Sequence, residues 1–441
     1  LYQNRQFSLA EENYSRAAQL SPSAGDYSIY QKGFLLGLQK DYRGKISAMD
    51  RLISEYPESQ YIDDALFEKG RSYVLLENSS SAAQAFEKLI REFPQSSLAR
   101  KAGIQLGLLY YNDNQPEKAL AAYKQVISNY PGSEEAKVAL QDLKSVYIDL
   151  NDINAYANYV NSIGGNIRLE VGEQDSLTYI AAEKLFMRGD NDGARRSLVN
   201  YLQTFPEGAF SSNANFYLGS IAFAKKEFDE AIQRFKSVIA SNDTKFLEES
   251  VARTAEIEYL NKDYPAALES FKRLQIVAEN PENKQAARLG IMRCALQTGQ
   301  QKDALLAADE LLKEPKLSPE LEAEARYVRA KAYIDQKQAN KALADLKELS
   351  KDTRTVHGAE AKYLLAQLYY DTNDDKNAEK VLMNFIENGT PHQYWLALAD
   401  VYIRQGDDFQ ARQYLTSLQN NYKGDDDIAG MIENRLGKLK N

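Results

Sequence analysis

Histidine, cysteine and tryptophan are nearly missing from this chain of 441 residues, which holds two, one and one of them. The two histidines, His357 and His392, lie far apart with no metal-ligand spacing around either, so no metal site is expected. A Ser-His-Asp or Cys-His arrangement would have to be assembled from one of those two side chains. The lone Cys294 cannot form an intrachain disulfide and reads as a small buried hydrophobe. Gly164-Gly165 lacks the spacing and the Lys-Ser/Thr of a phosphate loop, and no Gly-x-Ser-x-Gly elbow occurs. Excess basic charge is also missing: 54 Lys and Arg stand against 63 Asp and Glu, a formal charge of −9. A protein that tracks phosphates needs a basic face, so neither nucleic acid nor an anionic lipid surface is expected as partner. No run of 18 apolar residues exists, so no transmembrane span is expected. The carboxylates are numerous, but spread over helical faces they read as solvent surface and i,i+4 pairs. These absences leave no catalytic residue, metal or cofactor to name, and the chain is expected not to be an enzyme.

What is present is helix-forming and periodic. Apolar residues make up 44% and charged residues 27%, with only 11 prolines to interrupt helices. The length exceeds one ordinary core, which leaves several domains or a repeat array. Gly33, Gly70 and Gly107 step by 37 residues, and so do Pro57, Pro94 and Pro131. Each proline follows an aromatic and precedes a serine by two: Tyr56-Pro57-Glu58-Ser59, Phe93-Pro94-Gln95-Ser96, Tyr130-Pro131-Gly132-Ser133. A fourth copy, Phe205-Pro206-Glu207-Gly208, leads to Gly219 across the same gap of 13.

These residues resemble the tetratricopeptide repeat (TPR) family, whose motif has a small residue at repeat position 8, alanine at 20, a large apolar residue at 24 and proline at 32. Position 20 reads Ala10, Lys45, Ala82, Ala119, Ala194, Ala231, Ala267, Ala304, Ala342, Ala378 and Ala411. Position 8 reads Gly33, Gly70, Gly107, Ala182, Gly219, Ala255, Met292, Ala330, Ala366 and Ala399, with only Met292 large. The resemblance spans nearly the whole chain. It implies an all-α solenoid of antiparallel helical hairpins wound as a right-handed superhelix.

Elementary packing accounts for the columns. Glycine or alanine at 8, facing alanine at 20, lets the two helices of a hairpin approach closely. Met49, Phe86, Tyr123, Phe235 and Phe271 at 24 are expected to fill the space between hairpins. Proline at 32 ends the second helix, and Ser59, Ser96 and Ser133 are placed to cap the next first helix. The extra three residues of the early repeats are read as a longer first helix.

The period divides the chain. Residues 1–161 form an N-terminal array of which the first hairpin is partial, since Leu1 falls at position 11. The chain begins at leucine, and the natural protein is expected to continue upstream. The last hairpin of this array is degenerate, marked by Leu143, Tyr147, Ala155 and Tyr159 and expected to have a shorter turn. Residues 162–173 lose the period and read as a joint. Residues 174–424 form a second array, and about eleven hairpins are expected in all. Residues 425–441 carry the stripe Ile428, Met431, Ile432, Leu436 and Leu439, read as a capping helix over the open end. Asp425-Asp426-Asp427 reads as its solvated start.

In tetratricopeptide arrays the first helices line the concave side through positions 2, 5, 9 and 12. Position 5 reads Tyr30, Phe67, Ile104, Tyr179, Phe216, Ala252, Leu289, Tyr327, Tyr363 and Leu396. Position 12 reads Gly37, Val74, Tyr111, Phe186, Phe223, Tyr259, Leu296, Ile334, Tyr370 and Ile403. The eleven rings among them, Tyr30, Phe67, Tyr111, Tyr179, Phe186, Phe216, Phe223, Tyr259, Tyr327, Tyr363 and Tyr370, are candidates for a partner groove. Position 12 and part of position 5 have a second reading as core between adjacent hairpins. The Lys at 5 and Asn at 9 with which some members clamp a C-terminal carboxylate are missing from every repeat.

The function expected is a protein-binding scaffold that takes a peptide or helix of a partner protein. The Tyr/Phe-Pro-x-Ser signature is similar to that of Gram-negative cell-envelope repeat proteins, including outer-membrane assembly lipoproteins. The stretch Glu173-Gln174-Asp175-Ser176-Leu177-Thr178-Tyr179 resembles large repeat proteins of the Bacteroidetes. These resemblances imply a periplasmic or outer-membrane-associated protein. Two rival readings are a glycan- or peptidoglycan-binding groove, which the single Trp395 disfavours, and a helical array serving an enzyme or membrane anchor encoded upstream.

Overall fold

A computed structural model describes residues 7–20, 25–164, 167–241, 244–386, 392–424 and 427–439. Leu1, Gly165, Asn166, Asp425 and Asp426 lie outside them. The described residues form 24 α-helices. They fall into two compact units, 1–214 and 215–441, with the boundary inside α12 (Ser211–Ala224).

In the first unit α1 (Phe7–Leu20) is a lone second helix. Four complete hairpins follow: α2 (Gly25–Leu38) with α3 (Tyr42–Glu55), α4 (Ile62–Leu75) with α5 (Ser79–Glu92), α6 (Ser97–Asn112) with α7 (Pro116–Asn129), and α8 (Glu134–Asp149) with α9 (Ile153–Ile163). A fifth is made by α10 (Val171–Met187) and α11 (Asn191–Thr204). The second unit holds α13 (Phe228–Ala240), then α14 (Leu247–Leu260) with α15 (Tyr264–Val277), α16 (Pro281–Gln297) with α17 (Gln301–Leu311), and α18 (Pro319–Asp335) with α19 (Ala339–Leu349). It ends with α20 (Val356–Asp371) and α21 (Asp375–Ile386), α22 (His392–Gln405) and α23 (Asp408–Asn421), and α24 (Ile428–Lys438). Within each unit the two helices of a hairpin pack on one another, as α4 on α5 and α14 on α15, and contacts that skip a helix join first helices: α4 to α6, α6 to α8, α14 to α16, α20 to α22.

The turn inside each hairpin follows one design. After α4, the Glu77 N–H donates to the Val74 carbonyl at 3.0 Å and the Asn78 N–H to that of Tyr73 at 2.9 Å. This is the paired bond that closes a helix over a left-handed residue. The left-handed place is taken by Lys40, Glu77, Asn114, Asn151 and Gly189 in the first unit, and by Lys226, Lys262, Gly299, Lys337, Asn373 and Gly406 in the second. In several hairpins the next residue then caps the second helix: Asp41, Asn78, Asp152, Asp190, Asp263 and Asp407 each accept a backbone N–H from three residues on.

The degenerate hairpin keeps this turn, Leu150 to Asp152, contrary to the shorter turn expected. What shrinks is its second helix, 11 residues in α9 against 14 in α5 and α7. Beyond α9, Gly164 has φ of 77° and α10 packs against both α8 and α9. Between hairpins, Ser96 and Ser133 cap α6 and α8 as expected. Ser59 does not take the cap position, because α4 starts at Ile62 after Tyr61. Its hydroxyl instead accepts from the Tyr61 N–H at 3.2 Å and donates to Asp26 at 2.7 Å. Ser96 likewise donates to Asp63 at 2.7 Å, so the first-turn acid of one hairpin holds the serine of the next.

The small residue at position 8 meets position 24 more closely than position 20. A Cβ added at Gly70 would lie 2.5 Å from the Phe86 ring, at Gly107 2.5 Å from Tyr123, and at Gly219 2.8 Å from Phe235. Where position 8 is alanine, as in Ala182, Ala330, Ala366 and Ala399, position 24 is leucine: Leu198, Leu346, Leu382 and Leu415. The exception Met292 is explained by the same exchange of volume. Its partner position is Ala308, and both are fully buried in one cluster. Ala255 keeps an aromatic partner, Phe271, whose ring lies against Gly290 of the following hairpin.

Candidate partner-binding face

Helical spacing puts positions 2, 5, 9 and 12 of each first helix on one face. The structure distributes the eleven candidate rings unequally over it. Tyr179 is a correction: it is 2% exposed, stacks on Phe210 at 4.5 Å, and its hydroxyl lies 2.6 Å from Glu183. It belongs to the core, drawn in by a buried network. There Tyr201 donates to Asp175 at 2.5 Å, and Asp175 also accepts the Ala209 N–H at 2.8 Å. That network pins the loop after Pro206 under α10.

The other ten rings are half-buried. Tyr30 stacks on Tyr61 at 5.2 Å, and burial, followed by the charge of Asp64, pushes its hydroxyl pKa far up. Phe67 packs on Phe86, and Tyr111 hydrogen-bonds Asp149. Phe186 is half-buried near the end of α10. In the second unit Phe216 stacks on Phe246 at 4.1 Å, and Phe223 lies under the Arg253 guanidinium at 4.8 Å. Tyr259 sits edge-on to Phe271, Tyr327 stacks on His357 at 4.9 Å, and Tyr363 meets Tyr394. The Arg404 guanidinium lies 3.5 Å over Tyr370. These ten rings are thus neither fully core nor fully exposed.

Among the described residues of the second unit, cavities open on this face in two places. One of about 280 Å³ lies between α14 and α16 over α15, lined by Ala252, Tyr259, Phe271, Leu274 and Leu289, with Arg253 and Arg293 at its edge. The Arg293 pKa is raised by the paired bonds to Glu324, at 2.7 Å each. The other, of about 530 Å³, lies between α20, α22 and α24 and is lined by Tyr363, Tyr370, Leu396, Asp400, Met431 and Arg435. Arg435 closes it with two 2.8 Å bonds to Asp400. In α24, Ile432 is buried and Ile428 and Leu436 are partly so, but Met431 turns to the cavity and is 43% exposed.

Counting positions 5 and 12 alone misses Arg253, Phe271 and Met431. Phe271 sits at position 24 and lines the cavity beside Ala252 while remaining 8% exposed. Cys294 is fully buried, and burial pushes its thiol up to about 11. Among the described residues no group of three or more His, Cys, Asp or Glu is placed to hold a metal ion, and no helix is long and apolar enough to cross a membrane.

Tetratricopeptide repeat models match residues 27–59, 181–244, 359–388 and 393–425, on hairpins of both units. The chain is a tetratricopeptide-repeat protein. Residues 63–141 of this TPR protein match a further family model, YfiO, described as an outer membrane lipoprotein. No curated protein matches the sequence. Solved structures similar to it include yeast Tom70, at 12% identity over 95% of this chain and 96% of that one, TM-score 0.32. The TPR2AB domain of yeast Sti1 in its pHSP90 complex is 13% identical over 61% and 98%, TM-score 0.29. Naa15/Naa10 bound to HypK-THB is 16% identical over 90% of this chain and 63% of that one, TM-score 0.35, so the TPR chain spans under two thirds of that relative. A TPR array of this kind is a protein–protein interaction scaffold.

Proposed function

We propose that the first-helix face is the binding surface, and that it takes an extended or helical segment of a partner protein without catalysis. The observation that carries this is the position of the two cavities. Both open among positions 5, 9 and 12 of first helices and are walled by rings and aliphatic side chains with paired charges at the edge. The match of residues 63–141 to an outer membrane lipoprotein model supports a setting in the Gram-negative cell envelope. Fractionation of cells carrying the full-length protein is expected to place it with the envelope. For the face, cross-linking capture of partner by the full chain should fall at least several-fold when Phe216, Tyr363 and Tyr370 are changed to alanine together. Undiminished capture would transfer the binding role to the second-helix side. The joint at 162–173 belongs to the same proposal: Ile167, Arg168 and Glu170 lie exposed between α9 and α10, and limited proteolysis is expected to cut beside them before it cuts within either array.

A further inference from the structure

Position 5 is a large apolar residue in nine of the ten aligned repeats, and the tenth is Ala252. The 280 Å³ cavity opens at that alanine. Nine repeats put a large side chain at this place, whereas here a methyl group stands beside a cavity whose floor is already built. Tyr259 and Leu289 wall it, and Phe271 is held flat against α16, because a Cβ at Gly290 would fall on its ring. The rim is equally fixed. Arg253 is held by Glu249 at 2.8 Å and Glu256 at 3.0 Å, and Arg293 by Glu324 at 2.7 Å.

We propose that this cavity is an anchor pocket for one aromatic side chain of the bound polypeptide, with lysine or arginine beside that residue. The inference rests on the reading of the first-helix face as the partner surface and names what one part of it takes. Three features select the occupant. The volume falls just below the range of roughly 300–1,000 Å³ that holds a drug-sized ligand, which suits a single large side chain. The apolar floor and two immobilised guanidiniums offer a ring both packing area and cation–π faces. Three carboxylates, Glu249, Glu256 and Glu324, surround two guanidiniums, and the excess negative charge favours basic neighbours over acidic ones.

The test uses the full chain with its alanine methyl groups labelled for NMR, titrated with acetyl-Lys-Phe-Lys-amide. Saturable shifts at the Ala252 and Ala286 methyls are expected. Acetyl-Lys-Ala-Lys-amide and acetyl-Glu-Phe-Glu-amide should bind at least about tenfold more weakly. Ala252→Leu fills the pocket and should abolish the response without lowering Tm. Ala286→Leu, on the neighbouring first helix, is the second variant if the first perturbs folding. The proposal is overturned if the Lys-Phe-Lys peptide gives no saturable shift, if the alanine peptide responds equally, or if either folded variant still binds. Loss of this response with partner capture still sensitive to Tyr363→Ala would remove the pocket and leave the face as the binding surface.

Discussion

At position 8 a single methyl group decides how close two helices come. Gly70 admits the Phe86 ring, and four of the five alanine repeats instead use leucine at the facing place. Gly70→Ala should therefore destabilise the α4–α5 hairpin by about 1–3 kcal/mol, the cost of overpacking a full core. Adding Phe86→Leu recreates the pair found at Ala182 and Leu198 and should recover at least half of that loss. Local hydrogen exchange in α4 and α5 is the suitable measurement, because repeat arrays open in pieces. A double variant no better than the single one would show that the two positions are not coupled. The left-handed turn residues are a second site of residue-scale strain. Lys226 has φ of 61°, where a side chain costs roughly 1–2 kcal/mol, while glycine adds up to about 1 kcal/mol of chain entropy. Lys226→Gly is thus expected to stabilise the chain by up to about 1 kcal/mol, read as a rise in Tm of the second unit.

Several helices owe their starts to one polar side chain. Asp263 accepts the Ala266 N–H at 3.3 Å at the start of α15. Its replacement by alanine should cost about 1 kcal/mol, with faster exchange confined to the first turn of that helix. A larger effect is expected where α18 meets α19. Asp345 is 2% exposed and receives Arg329 at 2.7 and 2.8 Å and Arg326 at 3.1 Å. The bonds to Asp345 and Asp309 hold the Arg329 pKa above its ordinary value, although burial opposes this. Asp345→Ala strands two guanidiniums against the core and should cost about 3–5 kcal/mol. Thermal melting of the variant tests this, and a loss below about 1 kcal/mol would mean that Asp309 and Glu322 suffice to hold both arginines.

Buried and half-buried tyrosines in both units add a contribution to stability that depends on alkaline pH. Burial raises Tyr110, Tyr156 and Tyr394 from 10 to about 12, with Glu87 adding to the effect at Tyr110. In the folded chain these rings keep a proton that the unfolded chain has lost. Their contribution to stability is therefore complete below about pH 10 and is lost as pH rises from about 10 to 12. Tyrosinate absorbance near 295 nm should show part of the 29 tyrosines titrating late, together with loss of helical signal. Complete titration near pH 10 with the helices intact would contradict the burial of these rings.

The hairpins were legible in the sequence because their period comes from contacts repeated in every unit. Small residues at 8, alanine at 20 and the aromatic-proline pair each answer a steric demand that recurs along the array. Turn chemistry was only partly legible, since Lys40, Glu77, Lys226, Lys262 and Lys337 take the left-handed place without being glycine or asparagine. Their neighbours and the paired turn bonds hold them there against local preference. The candidate face was legible as a set of positions, but not which rings stay accessible. Tyr179 and Tyr363 occupy the same column, yet a buried Asp175–Tyr201 network pulls the first into the core while the second borders a cavity. Sequence periodicity thus specified the helices and their pairing, because those follow from local spacing. The cavities, the exchange of volume at Met292 and Ala308, and the meeting of Phe271 with Ala252 and Leu289 in one pocket required the tertiary structure. They depend on side chains from two or three hairpins meeting in space, and no single repeat contains that information.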